Sequence, residues 1–213
     1  MEAFVTLRGL VAPLVHANID TDLIIPSREI TSIGTDGYGD KLLSPWRYET
    51  GADDQRTERP EFVLNRAPFR QASILVAGEN FGCGSSREAA VWAVRQFGFR
   101  CIIAPSFGAI FQNNCYRNGV LPVVLPADKV DALAQEAEGG ALWLDVDLQS
   151  CTVRHPDGRR WPFAVPGSER AMLLEGLDAI GLTLKRQAQI ATYQDAVREA
   201  RPWVWAVAAQ HRR

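Results

Sequence analysis

Apolar positions fall into short dense runs separated by stretches with helical or turn spacing. Phe4–Leu14, Ser73–Gly78, Phe99–Ala104, Val120–Leu125 and Ala141–Asp147 predict strands. Ser86–Phe97, Phe107–Tyr116 and Asp128–Glu138 predict helices between them. Continuously apolar short strands alternating with helices predict an α/β fold, with an at least partly parallel sheet and helices against it. Beyond these, Ser150–His155 and Arg160–Ala164 flank Pro156-Asp-Gly158, which reads as a hairpin turn. Glu169–Gly176 and Gln187–Glu199 predict helices on either side of Gly181–Leu184. The expected organisation is a main domain over 1–168 and a helical extension over 169–213 packed on it.

Between Thr31 and Pro60 the texture changes. Gly34, Gly37, Gly39 and Gly51 alternate with polar residues, with Trp46 and Tyr48 among them. The segment reads as a long ordered loop or a mobile flap, with a short helix near Lys41–Tyr48. Just before it, Pro26 ends the apolar Leu23–Pro26 run.

The chemistry concentrates in Glu79–Glu88, ENFGCGSSRE, after one predicted strand and ahead of a helix. Gly82, Gly84 and Ser85 permit close approach of backbone or ligand. Ser85, Ser86 and Arg87 fall where the first amides of a helix lack internal partners, an arrangement suited to a carboxylate or phosphate. Ser85-x-x-Glu88 is equally a capping box, which needs no ligand. A dinucleotide turn fits less well. Arg87 stands where a third glycine is required, and no acidic residue ends the strand Arg100–Ala104.

Composition narrows the classes. The 213 residues are 46% apolar, enough for a substantial core. Lys plus Arg total 23 against 25 acidic residues, a net charge of -2 with no broad field for nucleic acid. No uninterrupted apolar segment has membrane length, and the start lacks a signal-peptide layout, so a cytoplasmic protein is expected. Cys83, Cys101, Cys115 and Cys151 form no CxxC, and His16, His155 and His211 are scattered. Reduced thiols and no metal site on this chain are the expectation.

Several motifs, in order, carry a resemblance: Asn18–Pro26 (NIDTDLIIP), Trp46–Tyr48, Phe62–Asn65, Ala77–Glu88 with Trp92–Ala93, Ile103–Phe111 (IAPSFGAIF), Leu121–Val123 and Gly176–Leu184. In these the chain closely resembles the small subunits of 3-isopropylmalate dehydratase. The resemblance implies a swivelling β/β/α domain of the aconitase C-terminal type, with a mixed sheet and flanking helices. It implies interconversion of 2- and 3-isopropylmalate by dehydration and rehydration, in leucine biosynthesis. It also implies a large-subunit partner, in a heterodimer or heterotetramer, that carries a [4Fe-4S] cluster.

On the matching positions, the resemblance makes Ser85 the general base for the carbon-bound proton. Arg87 becomes its neighbouring donor fork for a substrate carboxylate. Ser86 is a further ligand donor, and Arg28 stands where the family often has lysine for a carboxylate. Thr31–Tyr48 matches the substrate-recognition flap, with Ile33 and Leu42 candidates to meet the isopropyl group. Asp20, Thr21, Asp22, Asn80, Gly82 and Gly84 are expected to support the site, Asp22 by orienting Arg87; an Asx-type turn explains the aspartates equally well. Cys83 is expected only to pack the turn.

Two features depart from the pattern: Ala89 replaces a histidine, and the flap TSIGTDGYGDKLLSPWRY is longer. They leave dimethylmalate, citramalate or another 2-hydroxy dicarboxylate as alternative substrates, and a non-catalytic ligand-binding or assembly domain as an alternative role.

Overall fold

The computed structural model describes residues 1–30, 34–51, 53, 55–85 and 87–205. It forms two compact units, Met1–Gly176 and Leu177–Arg213.

In the first unit the predicted strands appear as β1 (Thr6–Leu14), β4 (Ile74–Ala77), β5 (Cys101–Ala104), β6 (Leu121–Val124) and β7 (Trp143–Asp147). The hairpin is β8 (Thr152–Arg154) and β9 (Arg160–Pro162), its turn closed by His155 N–H donating to the Arg159 carbonyl at 2.9 Å. A small hairpin, β2 (Tyr48–Thr50) and β3 (Arg56–Glu58), lies in the segment of changed texture. The helices are α1 (Thr21–Ile24), α2 (Ser44–Arg47), α3 (Glu88–Phe97), α4 (Ala109–Arg117), α5 (Ala127–Gly139) and α6 (Gly167–Glu175).

The main sheet has seven strands in the order β6-β5-β4-β1-β7-β8-β9. It is mixed, as expected. β1, β4, β5 and β6 run parallel, and every residue of β4 and β5 is buried, because helices cover both faces. The antiparallel part is joined in an unusual way. Thr6–Leu10 of β1 pairs with β7, whereas Val11–Leu14 pairs with β4. One nine-residue strand therefore splices two ladders end to end.

The core gathers Leu75 and Ala77 of β4 and residues of α3 with part of the Thr31–Tyr48 segment. Tyr38, Leu42 and Leu43 are all buried. Buried Arg47 holds this stretch from beneath. Its Nη1 donates to the carbonyls of Gly39, Asp40 and Leu42, each at 3.4 Å, and its Nε donates to Asn65 Oδ1 at 3.0 Å. The guanidinium lies 4.9 Å from the Phe97 ring centre and 5.0 Å from that of Tyr48. From Tyr38 to Arg47, then, the segment is an ordered part of the core.

The second unit contains α7 (Ala179–Leu184) and α8 (Gln187–Ala200). The Asp178 carboxylate caps α7 by accepting from Gly181 N–H at 2.6 Å. No helix among the described residues is long and apolar enough to cross a membrane.

Candidate active site

The parallel strands β1, β4 and β5 deliver their carboxyl-terminal loops to one edge of the sheet, where open α/β sheets bind ligands. The loop after β4 is central. Asn80, Gly82 and Gly84 all take positive φ, at 55°, 74° and 83°. Alternate residues are thus left-handed, which glycine allows freely and asparagine tolerates.

The neighbouring loops lock this path through backbone contacts. Gly82 N–H donates to the Ile19 carbonyl at 2.7 Å, Thr21 N–H to that of Cys83 at 3.0 Å, and Asn18 N–H to that of Glu79 at 2.9 Å. The hydroxyl of buried Thr21 donates to the Ser85 carbonyl. Asn80 Nδ2 donates to Asn18 Oδ1 at 2.8 Å. From the β5 side, Gly108 N–H donates to the Phe81 carbonyl at 2.9 Å. Gly82 has no room for a side chain: a Cβ there would lie 2.5 Å from Phe111 Cδ1.

Ser85 is exposed at the end of this loop. The capping-box reading is overturned. The cap residue of α3 is Arg87, without a side-chain cap bond, and Glu88 is already helical. The Glu88 carboxylate instead accepts from Asn118 Nδ2 at 2.9 Å, while Asn118 Oδ1 accepts from Trp92 Nε1 at 3.1 Å. Main-chain bonds to β1 and β5 loops, rather than a local serine–glutamate exchange, set the helix start. Ser85 is left without a capping job.

Arg87 pairs with Asp22 through both terminal nitrogens, Nη2 donating to Oδ2 at 3.2 Å, and Nη1 also donates to the Ile25 carbonyl at 3.4 Å. Its Nε has no partner among the described residues. The hydrogen bond from Arg87 holds the Asp22 carboxyl below its ordinary value, and the same bond raises Arg87. Both stay charged at neutral pH. Asp22 also accepts from Ser27 N–H at 3.2 Å, and Asp20 caps α1, its Oδ1 accepting from Leu23 N–H at 2.7 Å.

Asp20, Thr21, Asp22, Asn80, Gly82, Gly84, Ser85 and Arg87 are therefore brought together. Others lie elsewhere. Arg28 lines a separate cavity of about 570 Å³. Leu42, expected beside an isopropyl group, is 1% exposed and packs in the core, because Arg47 draws in the carbonyls around it. Ser86 and Ile33 lie outside the described residues. Ala89 is buried among core residues, so the lost histidine is replaced by a packing methyl. Sequence reasoning passed over Arg47 and Glu29; the dense WRY and SRE strings gave no periodic signal for their burial.

The four cysteines are free. Burial pushes the Cys101 and Cys115 thiols up and keeps them unreactive. Among the described residues no group of His, Cys, Asp or Glu could hold a metal ion, so this donor set does not fit an iron–sulfur cluster.

Comparison with known proteins gives the family. Residues 1–128 match the family described as Aconitase C-terminal domain, which places the chain in the aconitase class. The 3-isopropylmalate dehydratase small subunit of Cupriavidus necator is 52% identical over 206 residues, 96% of this chain and 98% of that one. The small subunit of Parvibaculum lavamentivorans is 48% identical over 205 residues, 96% of this chain and 100% of that one. The crystal structure of 3-isopropylmalate dehydratase from Methanocaldococcus jannaschii has the same fold, with a TM-score of 0.63 at 22% identity, covering 88% of this chain and 99% of that one. The chain belongs to the family of 3-isopropylmalate dehydratase small subunits.

Proposed function

We propose that this chain is the small subunit of a cytoplasmic 3-isopropylmalate dehydratase, a hydro-lyase interconverting 2- and 3-isopropylmalate in leucine biosynthesis. Catalysis requires a large subunit carrying the [4Fe-4S] cluster, which supplies Lewis-acid chemistry across the interface. Nothing assigned to this chain passes through that group.

In this reading Ser85 Oγ removes the carbon-bound proton and returns it on rehydration. A serine is a poor base unless its oxygen anion is favoured. The free amides at the start of α3 and the Arg87 guanidinium supply that bias. Arg87 offers Nε and its remaining N–H positions to a substrate carboxylate, while Asp22 fixes the plane of the fork. Ser86 is retained as a ligand donor. Thr21 and Asp20 hold the loop from the β1 side.

The observation that carries the reading is the exposed Ser85, held by its own backbone and freed from capping, beside an oriented arginine. Ser85→Ala in the complex with a cluster-loaded large subunit should fold and assemble but lose turnover by roughly 10²–10⁴-fold. Enediacid absorbance under anaerobic conditions reads this, and near-parental turnover would reject the base role. The same assay with dimethylmalate and citramalate decides the substrate, since the longer flap favours neither in advance.

A further inference from the structure

Arg87 and the free amides beside it stand at the start of α3, and the helix itself does little to hold that start. The Arg87 cap position has no side-chain cap bond, and the first turn closes with Ala90 N–H donating to the Arg87 carbonyl at 3.1 Å. A helix end with unpartnered amides frays unless groups outside the helix fix it. Asp22 and the Ile25 carbonyl hold the Arg87 side chain from the loop after β1. A second hold comes from the end of α4.

Asn118 ends that helix. Its own N–H donates to the carbonyls of Asn114 and Cys115, both at 3.1 Å, in a turn whose Asn114, Cys115 and Tyr116 are buried. Its half-buried side chain then reaches across to α3. Oδ1 accepts from Trp92 Nε1 at 3.1 Å, and Nδ2 donates to Glu88 Oε1 and to the Asn114 carbonyl, each at 2.9 Å. These partners force the orientation of the amide. An indole N–H only donates, and an ionised carboxylate or a carbonyl only accepts, so a flipped amide would lose all three bonds. Glu88 and Trp92, four residues apart, share one face of α3. The anchored last turn of α4 therefore grips the first two turns of α3, through the residue next to Arg87.

We propose that Asn118 is a positioning residue for the reaction. Acting through Glu88, it fixes the first turn of α3, so that Arg87 and the helix amides meet Ser85 and the substrate at the geometry turnover needs. The inference rests on the reading of Ser85 and Arg87 given above.

The test uses the assembled complex with the cluster-loaded large subunit. Asn118→Asp sets a carboxylate against Glu88 and should lower kcat per complex about tenfold. Glu88→Gln keeps an acceptor for the Asn118 amide and should stay within about twofold of the parent. Combined, the two substitutions reverse the bond, the amide placed at position 88 donating to the carboxylate placed at position 118. Turnover should then return to within about threefold of the parent. If Asn118 served only to end α4, no such rescue would follow. Glu88→Ala changes an exposed side chain, keeps the fold available, and should lower kcat about fivefold. Exchange of the Ala90 amide in the 213-residue chain reads the same hold without turnover. It should quicken about tenfold in Asn118→Asp and recover in the double variant.

Parental kcat in Asn118→Asp or Glu88→Ala, no recovery in the double variant, or unaltered Ala90 exchange would each overturn the proposal. Ser85→Ala measured alongside separates it from the reading beneath it. Lost turnover there with parental turnover in Asn118→Asp sinks this inference alone; parental turnover in Ser85→Ala sinks both.

Discussion

Gly82→Ala is the sharpest perturbation of the candidate site, since it adds a single methyl group. The backbone φ there is 74°, in the left-handed region. Placing a Cβ in that conformation costs about 1 kcal/mol or more. The added atom would also lie 2.5 Å from Phe111 Cδ1 and 2.7 Å from Phe111 Cβ, distances that a packed core relieves only by moving the ring. Phe111 is 2% exposed and edge-on to Phe81 at 5.4 Å, so the movement spreads; overpacking of this kind costs about 1–3 kcal/mol. Together the loss is about 2–5 kcal/mol, or roughly 5–15 °C in Tm for a chain of this length. Thermal melts followed by circular dichroism give the number. Adding Phe111→Ala removes the obstructing ring, so Gly82→Ala should cost about 1–3 kcal/mol less in that background. A parental Tm for Gly82→Ala would refute the steric argument. An equal loss with and without the ring would assign the whole cost to the backbone.

Arg87→Lys keeps the charge but loses the fork that meets both Asp22 oxygens, so turnover in the complex should fall by about tenfold or more; unchanged kcat and KM would place Arg87 outside the substrate's reach. Arg47→Met keeps the apolar stem but removes the Nη1 donor shared by the carbonyls of Gly39, Asp40 and Leu42, and the Nε bond to Asn65. It should cost about 2–4 kcal/mol and speed hydrogen exchange at the Lys41 and Leu43 amides, and unaltered exchange would refute the clamp. Glu29 has a depressed carboxyl in the fold, so its stabilisation is complete above the unfolded value of about 4.3 and is lost as pH falls through the lower folded value. The Tm difference between parent and Glu29→Gln should therefore be flat from neutral to mildly acid pH and shrink below about pH 4; growth at low pH would reverse the assignment.

The buried parallel strands were legible because their composition leaves no other reading: four consecutive buried residues, Ile74–Ala77, can only be a covered strand or a helix segment, and the flanking turns decide it. The gathering of Asn18–Asp22 with Gly82–Arg87 was legible only through the family resemblance. Local pattern favoured the capping box just as strongly. What assigns the helix start to Arg87 is a set of main-chain bonds reaching across the sheet from Ile19 and Thr21, which leave no mark in neighbouring letters. The packing of Tyr38–Arg47 was illegible for a related reason. Glycine-rich text suggests freedom, yet Arg47, Asn65 and Gln96 supply the partners that its backbone lacks, Gln96 Oε1 accepting from Tyr38 N–H at 2.8 Å. Long-range partners of that kind have no periodicity to detect.

The splice in β1 separates two problems that most sheets must solve together. Strand alignment in the Ser85-bearing half is decided by Val11–Leu14 against β4, and alignment in the outer half by Thr6–Leu10 against β7. A shift of β8 or β9 along its neighbour alters the second alignment without forcing any change in the first. The outer strands are thus insulated from the chemistry, and the Pro156–Gly158 turn becomes a natural place to graft a peptide or reporter. Lengthening that turn would load the hairpin and the bonds from Arg159 to Glu136 of α5, while the main-chain bonds between the β1, β4 and β5 loops keep their spacing.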